Sequence, residues 1–223
     1  MKILVASATG FEVDQFRHYC LQNCRAGTGW PEIDFLITGV GMMATAVHLS
    51  FALQQKQFDL VIQAGVAGCF DEAKPLGSVF VVSHEVIGDL GVEENGVWKD
   101  LFDIKLNSAD SPPFVNRKIP GFMLPVDWRP PFEEATAITV NEITTQVSRI
   151  NQLLAKYDPV LESMEGAAMH FAGHHYQVPF VQLRAISNYV GERDKTKWRM
   201  KEAITNLNES LNVYLKQFTG DNL

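Results

Sequence analysis

Three groups of polar residues stand where apolar runs of the sequence end. Glu12 follows the apolar run Lys2–Ala6, and Glu165 follows a second run within Ser163-Met164-Glu165-Gly166. A third run ends in Arg184-Ala185-Ile186-Ser187-Asn188. A charge that caps a helix explains either carboxylate taken alone. Ligands of open α/β sheets bind beyond the carboxyl ends of the strands, so the three groups together predict a site with two carboxylates, an arginine and an amide.

A glycine-rich motif precedes the second predicted helix. Gly39-Val40-Gly41-Met42-Met43-Ala44 has the form GxGxxA that dinucleotide-binding folds use for pyrophosphate. Such a fold also needs an acidic residue at the end of the next strand, whereas the candidate Asp59 lies at the start of that strand. Tight backbone packing therefore explains the glycines better than a dinucleotide site does.

Two residue pairs have the i,i+4 spacing of metal ligands on a helix. They are Cys20 with Cys24 and His170 with His174. No nearby carboxylate or thiol completes a familiar set of ligands around either pair. We therefore interpret them as core thiols and surface histidines, and we expect neither a metal nor a cofactor.

Predicted strands and helices alternate along the chain, which predicts an α/β fold with a largely parallel or mixed sheet in one domain, residues 1–223. The strands are expected at Lys2–Ala6, Ile33–Val40, Asp59–Val66, Ser78–Ile87, Ala135–Val140, Val160–Met164 and Pro179–Ser187. The helices are expected at Glu12–Cys24, Met42–Gln57, Thr144–Tyr157, Glu165–Tyr176 and Trp198–Phe218.

One long segment, Gly88–Glu134, interrupts this alternation. It holds six prolines and shows little periodicity, yet its aromatic residues predict packing. A loop of this length inside a compact domain is usually functional or disordered. The sequence is compatible with two interpretations: the segment covers a substrate, or it has a purely structural role.

Composition limits the partners and the compartment. The 223 residues carry a formal net charge of −7 and no dominant basic stripe, which argues against a nucleic-acid partner but leaves small anionic substrates open. Three cysteines do not form a disulfide framework and suit a reducing compartment. The N-terminal residues turn polar too early for a signal peptide, and no apolar run is long enough to span a membrane. We expect a cytoplasmic protein.

Four separated motifs together resemble a known family. Glu12, Gly65-Val66-Ala67-Gly68, Met164-Glu165 and Arg184-Ala185-Ile186-Ser187 resemble, in order and spacing, the purine nucleosidases related to 5′-methylthioadenosine/S-adenosylhomocysteine nucleosidase. The resemblance runs over nearly the whole chain. It implies a three-layer α/β/α sandwich around a central mixed sheet, hydrolysis without a cofactor, and at least a homodimer in which a loop of the partner closes the site.

The resemblance also implies a role for each matching residue. Glu12 is expected to act as the general base that activates water, and Arg184 to help place that water. Glu165 is expected to bind the ribose hydroxyls. Four further residues are expected to contact the substrate: Met164 on the sugar, Ala67 and Gly68 along base and sugar, and Ile143 and Thr144, within the segment 140–144, beside the purine.

Asn188 departs from the methylthioadenosine nucleosidase pattern, which has an aspartate at this position to protonate the purine. An asparagine side chain cannot deliver a proton, but its amide donates hydrogen bonds. An asparagine at this position resembles the pattern of the phosphorylases that prefer 6-oxopurines. We therefore expect Asn188 to act on the leaving base, and the base to be hypoxanthine or guanine instead of adenine.

Two segments resemble one branch of the family more closely. Ile87-Gly88-Asp89-Leu90-Gly91 and the stretch from Ser187 to Trp198 are similar to futalosine hydrolases, which release hypoxanthine and dehypoxanthine futalosine from futalosine on a route to menaquinone. The benzoate tail of futalosine needs a cation. The candidates, each of which is also explained as part of a solvated basic turn, are Arg193, Lys195, Lys197 and Arg199.

Three alternatives remain beside a futalosine hydrolase. A methylthioadenosine/adenosylhomocysteine nucleosidase shares the motifs, but Asn188 argues against it. A phosphorylase needs cations where phosphate would bind, and Glu12 occupies that side of the predicted site. A binding protein without activity would share the fold, although it has no need to keep Glu12, Glu165 and Arg184 together.

Overall fold

The computed structural model of the protein describes residues 1–24 and 29–219. Within them the α-helices are α1 (Gly10–Asn23), α2 (Met42–Gln55), α3 (Val147–Tyr157), α4 (Gly166–Tyr176) and α5 (Met200–Leu215). The strands are β1 (Lys2–Ser7), β2 (Glu32–Ile37), β3 (Leu60–Cys69), β4 (Val79–Ile87), β5 (Gly91–Glu94), β6 (Val97–Asp100), β7 (Ile119–Pro120), β8 (Glu133–Thr139), β9 (Leu161–Ser163) and β10 (Phe180–Tyr189). The predicted alternation of strands and helices is confirmed.

Helices cover both faces of the central sheet, as the predicted three-layer α/β/α sandwich requires. Ile3 and Val5 of β1 pack in one core with residues of α1 and α5, whereas Leu4 packs in another with residues of α2 and α4. Successive side chains of a strand point to opposite faces, so the apolar run at the start of the chain supplies both cores.

The sheet is mixed, and part of it closes into a ring. β2, β1 and β3 are parallel neighbours, and β3 also pairs in parallel with β10. From β10 the ring continues through β4, β8 and β9, and β9 returns to β3 as an antiparallel partner. Small and apolar side chains fill its interior, among them Ala67, Phe80, Ala137, Leu161 and Ile186.

The sheet forks along one edge of β3. β1 pairs with β3 only as far as Gln63, and β9 takes over at Gly68. The residues between them therefore have a strand partner, β10, on one side only. Backbone groups that lose a strand partner need another hydrogen-bonding group, so the fork can receive side chains or a ligand. The motif Gly65–Gly68, predicted at the end of this strand, lies within β3 at the fork.

The segment Gly88–Glu134 is packed against the rest of the protein. β5 and β6 form a hairpin, and β7 adds to β4 as an antiparallel partner. Asp100 is buried and accepts hydrogen bonds from the Tyr157 hydroxyl of α3 and from Arg117. These contacts support the structural interpretation of the segment.

Two helices differ from the sequence prediction in their bounds. The helix expected from Thr144 begins at Val147, because Thr144 is tied by its backbone N–H to Glu162. The C-terminal helix begins at Met200 and ends at Leu215, followed by a short 3₁₀ turn. Across the described part of the chain, no helix has the length and apolar character needed to cross a membrane.

Candidate active site

A cavity of about 360 Å³ opens at the fork of the sheet. Seven of the nine residues predicted for the site line it: Glu12, Ala67, Gly68, Ile143, Met164, Glu165 and Asn188. The walls come from the start of α1, the end of β3, the β9–α4 junction and the end of β10. Side chains separated by up to 176 positions in the sequence therefore meet in one place.

Glu12 is held in the fork by four hydrogen bonds. Its Oε2 accepts from the hydroxyls of Ser7 and Thr9 and from the backbone N–H of Thr9, each at 3.0 Å. Its Oε1 accepts from the backbone N–H of Val66 at 3.1 Å, where β3 has no strand partner on that side. Donors directed at both oxygens stabilise the charged carboxylate and fix its position.

Glu165 is the residue before the first turn of α4, and it joins three parts of the chain. Its Oε1 accepts from the backbone N–H of Gly41 at 3.1 Å, and its Oε2 accepts from Nη1 of Arg184 at 3.3 Å. Gly41 has a φ of +95°, a conformation that favours glycine. The glycine motif read from the sequence as tight packing thus brings a backbone donor to the second carboxylate.

Arg184 lies beneath the cavity and does not line it. The side chain is 2% exposed, and its Nη2 donates to Oε1 of Gln63 at 3.2 Å while Nη1 also donates to the Val66 carbonyl at 3.3 Å. A Cβ added to Gly65 would lie 2.5 Å from Nη1, so the guanidinium needs this glycine. The geometry directs Arg184 at Glu165, whereas the sequence prediction gave it a water molecule to position.

Asn188 lies in a row of paired residues that crosses three strands. It pairs with Gly68 of β3, which pairs in turn with Glu162 of β9. The register of β10 shifts between Ile186 and Asn188, and such bulges re-aim side chains beside functional sites. The Asn188 Nδ2 would lie 3.5 Å from a Cβ added to Gly68, so the glycine leaves an open slot beside the amide.

Two contributors to the site were missed by sequence reasoning, a carboxylate in the cavity wall and a backbone donor to another carboxylate. Glu162 lines the cavity and accepts the Thr144 backbone N–H at 3.1 Å, so Thr144 lies behind the wall instead of on it. Gly41 reaches the site only through Glu165. The position of Glu162 depends on the pairing of β9 with β3, which no local pattern reveals.

Of the four candidate cations, only Arg193 lines the cavity. Its guanidinium lies 5.4 Å from the centre of the Trp198 ring, which also lines the cavity. Lys197 instead forms an ion pair with Glu192 at 2.6 Å. An arginine on an aromatic face keeps its donors free for an anionic ligand.

Glu85 is a further buried carboxyl, beneath the start of α4. Its two oxygens accept from Thr139 Oγ1 and Gln182 Nε2, each at 2.8 Å, and Thr139 Oγ1 accepts from the Ala167 backbone N–H. Burial raises the pKa of Glu85 to about 7. A Cβ added to Gly166 would overlap this carboxyl at 1.8 Å, so the helix must begin with glycine.

The cysteine and histidine pairs at i,i+4 spacing lie away from the cavity. Cys20 and Cys24 are free thiols, and burial raises the pKa of both. His170 is fully buried, which corrects the prediction of a surface residue, and it lies within hydrogen-bonding distance of the backbone oxygens of Ile119 and Pro120. Residues 1–24 and 29–219 contain no group of three or more acidic, histidine or cysteine side chains arranged to hold a metal.

The arrangement suits the cleavage of a bond between a sugar and a base. A fixed carboxylate such as Glu12 can take a proton from water on one face of a sugar. A second carboxylate can accept hydrogen bonds from neighbouring hydroxyls, and an amide can donate to a departing base. Positive charge that develops on the sugar is stabilised by carboxylates, as in glycoside hydrolysis.

Comparison with known proteins defines the class to which this fold and cavity belong. Residues 24–218 match the model of the phosphorylase superfamily. A curated futalosine hydrolase from Streptomyces coelicolor is 31% identical over 196 residues, which cover 84% of this chain and 79% of that protein. The chain belongs to the futalosine hydrolase family of the phosphorylase superfamily.

Solved structures share the fold over nearly the whole chain. A 5′-methylthioadenosine/S-adenosylhomocysteine nucleosidase from Colwellia psychrerythraea in complex with adenine has a TM-score of 0.78 at 19% identity, covering 99% of this chain and 96% of that one. The native futalosine hydrolase of Helicobacter pylori has a TM-score of 0.77 at 16% identity, covering 97% and 98%. These likenesses confirm the predicted three-layer sandwich.

Proposed function

We propose that this protein is a futalosine hydrolase that cuts the N-glycosidic bond of futalosine and releases hypoxanthine and dehypoxanthine futalosine, a step of menaquinone biosynthesis. The observation that carries the proposal is the cavity at the fork, where two fixed carboxylates face an amide and a free arginine lies on a tryptophan. Family membership supports the same activity, that of a hydrolase acting on N-glycosyl bonds. The chain acts as one domain, since eight strands drawn from residues 2–189 share one sheet.

The sugar end of the cavity, formed by Glu12 and Glu165, performs the hydrolysis. Glu12 takes a proton from a water molecule as that water attacks the anomeric carbon on the face opposite the base. Glu165 accepts hydrogen bonds from the ribose hydroxyls, and Met164 beside it packs on the sugar. Arg184 pairs with Glu165 from below and fixes the position of its carboxylate.

The base end of the cavity, formed by Asn188, Gly68 and Glu162, receives the purine. The ring lies in the slot above Gly68, and the Asn188 amide donates to its oxo group and imidazole nitrogen as negative charge develops on the leaving base. Ile143 covers the ring from the segment before α3. An amide that donates toward position 6 favours a 6-oxopurine over adenine.

The mouth of the cavity binds the tail of the substrate. Arg193 forms a bidentate pair with the benzoate carboxylate, while the Trp198 ring packs beside the aromatic part of the tail. Methylthioadenosine carries no such anion. The charge at the mouth therefore favours futalosine over the substrate of the related nucleosidases.

The protein acts as a homodimer in the cytoplasm. Met43, Val47 and Phe51 are 81%, 62% and 65% exposed at i, i+4 and i+8 of α2, an apolar stripe of the kind that marks a protein interface. Val40, three positions before Met43, is also exposed, and both Val40 and the exposed Phe11 line the cavity. A second copy seated on the stripe would therefore reach the site.

A product assay tests the proposal. Purified protein should release hypoxanthine from futalosine at the same rate with and without phosphate, leaving a free reducing sugar. Inosine and methylthioadenosine should be poorer substrates, and Arg193→Met should raise KM for futalosine about tenfold or more while leaving inosine cleavage unchanged. Lys201→Met, an exposed cation of α5, is the matched control.

Three outcomes would contradict parts of the proposal. Strict dependence on phosphate, with a ribose 1-phosphate product, would indicate a phosphorylase. Faster turnover of methylthioadenosine would indicate the related nucleosidase activity. The absence of base release from all three nucleosides would leave a binding protein.

A further inference from the structure

Glu162 is a buried carboxylate of the base end whose hydrogen bonds are incomplete. The side chain is 7% exposed and lines the cavity. Its Oε1 accepts from the Thr144 backbone N–H, whereas its Oε2 is buried and has no hydrogen-bond partner among the described residues. A buried polar atom without a partner is costly, and native proteins rarely keep one without a reason.

The register of the sheet places Glu162 opposite Asn188. Asn188 pairs with Gly68, and Gly68 pairs with Glu162, so the three residues form one row across β10, β3 and β9. Residues paired in a row project their side chains to the same face of a sheet. Neighbouring strands lie about 4.8 Å apart, which puts the two outer Cα atoms roughly 10 Å from each other.

Gly68 leaves the space between the two polar side chains open. A Cβ at this position would lie 3.1 Å from Val190 Cγ2 and 3.5 Å from Asn188 Nδ2, and would narrow the slot. A flat ring held above the glycine therefore has an amide on one edge and a carboxylate on the other. The protein can therefore form hydrogen bonds with the ring from two sides, as a donor at Asn188 and as an acceptor at Glu162.

The two classes of purine differ in the hydrogen-bonding groups at positions 1 and 6. A 6-oxopurine carries a hydrogen on N1 beside its oxo group, so it presents a donor next to an acceptor. A 6-aminopurine carries a lone pair on N1 beside an amino group, which reverses the order. A carboxylate accepts hydrogen bonds and repels a lone pair, so it matches the first edge only.

We propose that Glu162 is a specificity-determining residue whose Oε2 accepts the N1–H of a 6-oxopurine while Asn188 donates to the other side of the same base. This inference rests on the proposed cleavage of a purine nucleoside and names a second residue that selects the base. The donor from N1 completes the hydrogen bonds of Glu162. Burial raises the pKa of this carboxyl, which is the effect expected where an ionised oxygen lacks a donor.

The alternative role for Glu162 is structural, because its Oε1 holds the segment before α3 through Thr144. Glu162→Gln separates the two roles. The glutamine keeps an oxygen for the Thr144 N–H, but its neutral NH₂ cannot accept from N1–H and can donate to the N1 lone pair of a 6-aminopurine. Loss of a charge-assisted hydrogen bond affects only the 6-oxo substrate.

The experiment compares kcat/KM for futalosine and for its 6-amino analogue in wild type and in Glu162→Gln. The ratio of the two values should fall about tenfold or more in the variant, mainly through futalosine. Glu134→Gln, an exposed carboxylate of β8, should leave the ratio unchanged. Equal losses on both substrates, or an unchanged ratio, would overturn the inference and leave a structural role.

Calorimetric binding of the free bases separates this inference from the proposed function. Wild type should bind hypoxanthine more tightly than adenine, and Glu162→Gln should reduce or reverse that preference. If the wild type cleaves no nucleoside yet shows this dependence on Glu162, the proposed hydrolase function is wrong and the role of Glu162 in base selection is supported. If the wild type cleaves futalosine but hypoxanthine binding is unaffected by Glu162→Gln, the proposed hydrolase function is supported and the role of Glu162 in base selection is wrong.

Discussion

At the sugar end of the cavity, Glu12 and Glu165 receive hydrogen bonds from the backbone of Thr9, Val66 and Gly41. At the base end, among the described residues, the Asn188 side chain bonds only to its sequence neighbours and Glu162 has one oxygen without a hydrogen-bond partner. Under the proposed function, the sugar end is thus hydrogen-bonded before a substrate arrives, whereas a ligand would supply the missing donor at the base end. Backbone donors are independent of side-chain identity, so we expect the fold to fix the chemistry of the proposed reaction and a few exchangeable side chains to set its selectivity.

The largest effect is expected from removing the charge of the sugar end. Glu12→Gln should fold normally and lose on the order of 10²-fold or more in turnover, because the amide is no base for water. Glu165→Gln should also lose activity, since one acceptor of the ribose hydroxyls becomes a donor. Steady-state kinetics with thermal unfolding measures both, and the exposed Asp14→Asn on α1 is the control.

Near wild-type turnover in both glutamine variants, at unchanged stability, would show that the sugar end does not perform the chemistry. Loss of activity with loss of folding would leave the carboxylates as structural groups only. Either result would contradict the proposed difference between a catalytic sugar end and a base end that selects the substrate.

A smaller effect, confined to base selection, is expected at Asn188. Unpaired buried polar groups change rates by about 5- to 150-fold. Wild type should prefer futalosine over its 6-amino analogue, and Asn188→Asp should narrow or reverse that preference because a protonated aspartate can serve the imidazole nitrogen of adenine. The measurement is the ratio of kcat/KM for the two substrates. A ratio that the substitution leaves untouched would remove Asn188 as a determinant.

The smallest effect on activity is expected at Glu85, which touches neither end of the cavity. Its folded-state pKa is raised to about 7 from an ordinary value of 4.5, so the folded protein binds this proton more tightly than the unfolded chain does. The resulting stabilisation is complete below pH 4.5 and is lost as the pH rises towards 7. The loss is at most about 3 kcal/mol.

Glu85→Gln imitates the protonated acid and should remove that dependence. Denaturant unfolding of wild type and variant between pH 4.5 and 8 gives the difference in free energy, in which the other titrating groups cancel. The difference should move in favour of the glutamine variant as the pH rises. A difference that stays constant with pH would mean that Glu85 is ionised in the folded protein throughout.

Much of the fold follows from local patterns in the sequence. The apolar runs at β1 and β3 and the spacing of Val13, Phe16 and Cys20 on α1 predict buried elements that the structure contains. Glu12, Glu165 and Asn188 were predicted to share a site because each stands at the end of such a run, and all three line the cavity. Position along one element is a local property, and the sequence displays it directly.

The rest depends on pairing between distant segments. Arg184 is predicted at the right strand end, but whether its guanidinium enters the cavity or lies beneath it is decided by Gly65, Gln63 and Glu165. Glu162 acquires its position only when β9 pairs with Gly68. Side-chain direction and strand register are fixed by tertiary contacts, so neither could be read from the chain alone.

The closed ring has a consequence for how the protein is made. β3 pairs with β10 along nine of its residues, and about 120 positions separate the two strands. During synthesis the N-terminal segments leave the ribosome first, so the long edge of β3 waits unpaired until nearly the whole chain has emerged. An unpaired strand edge can pair with other chains, and the cavity cannot form before β10 has been synthesised. We therefore expect a nascent chain that stops before Phe180 to be inactive and prone to aggregate.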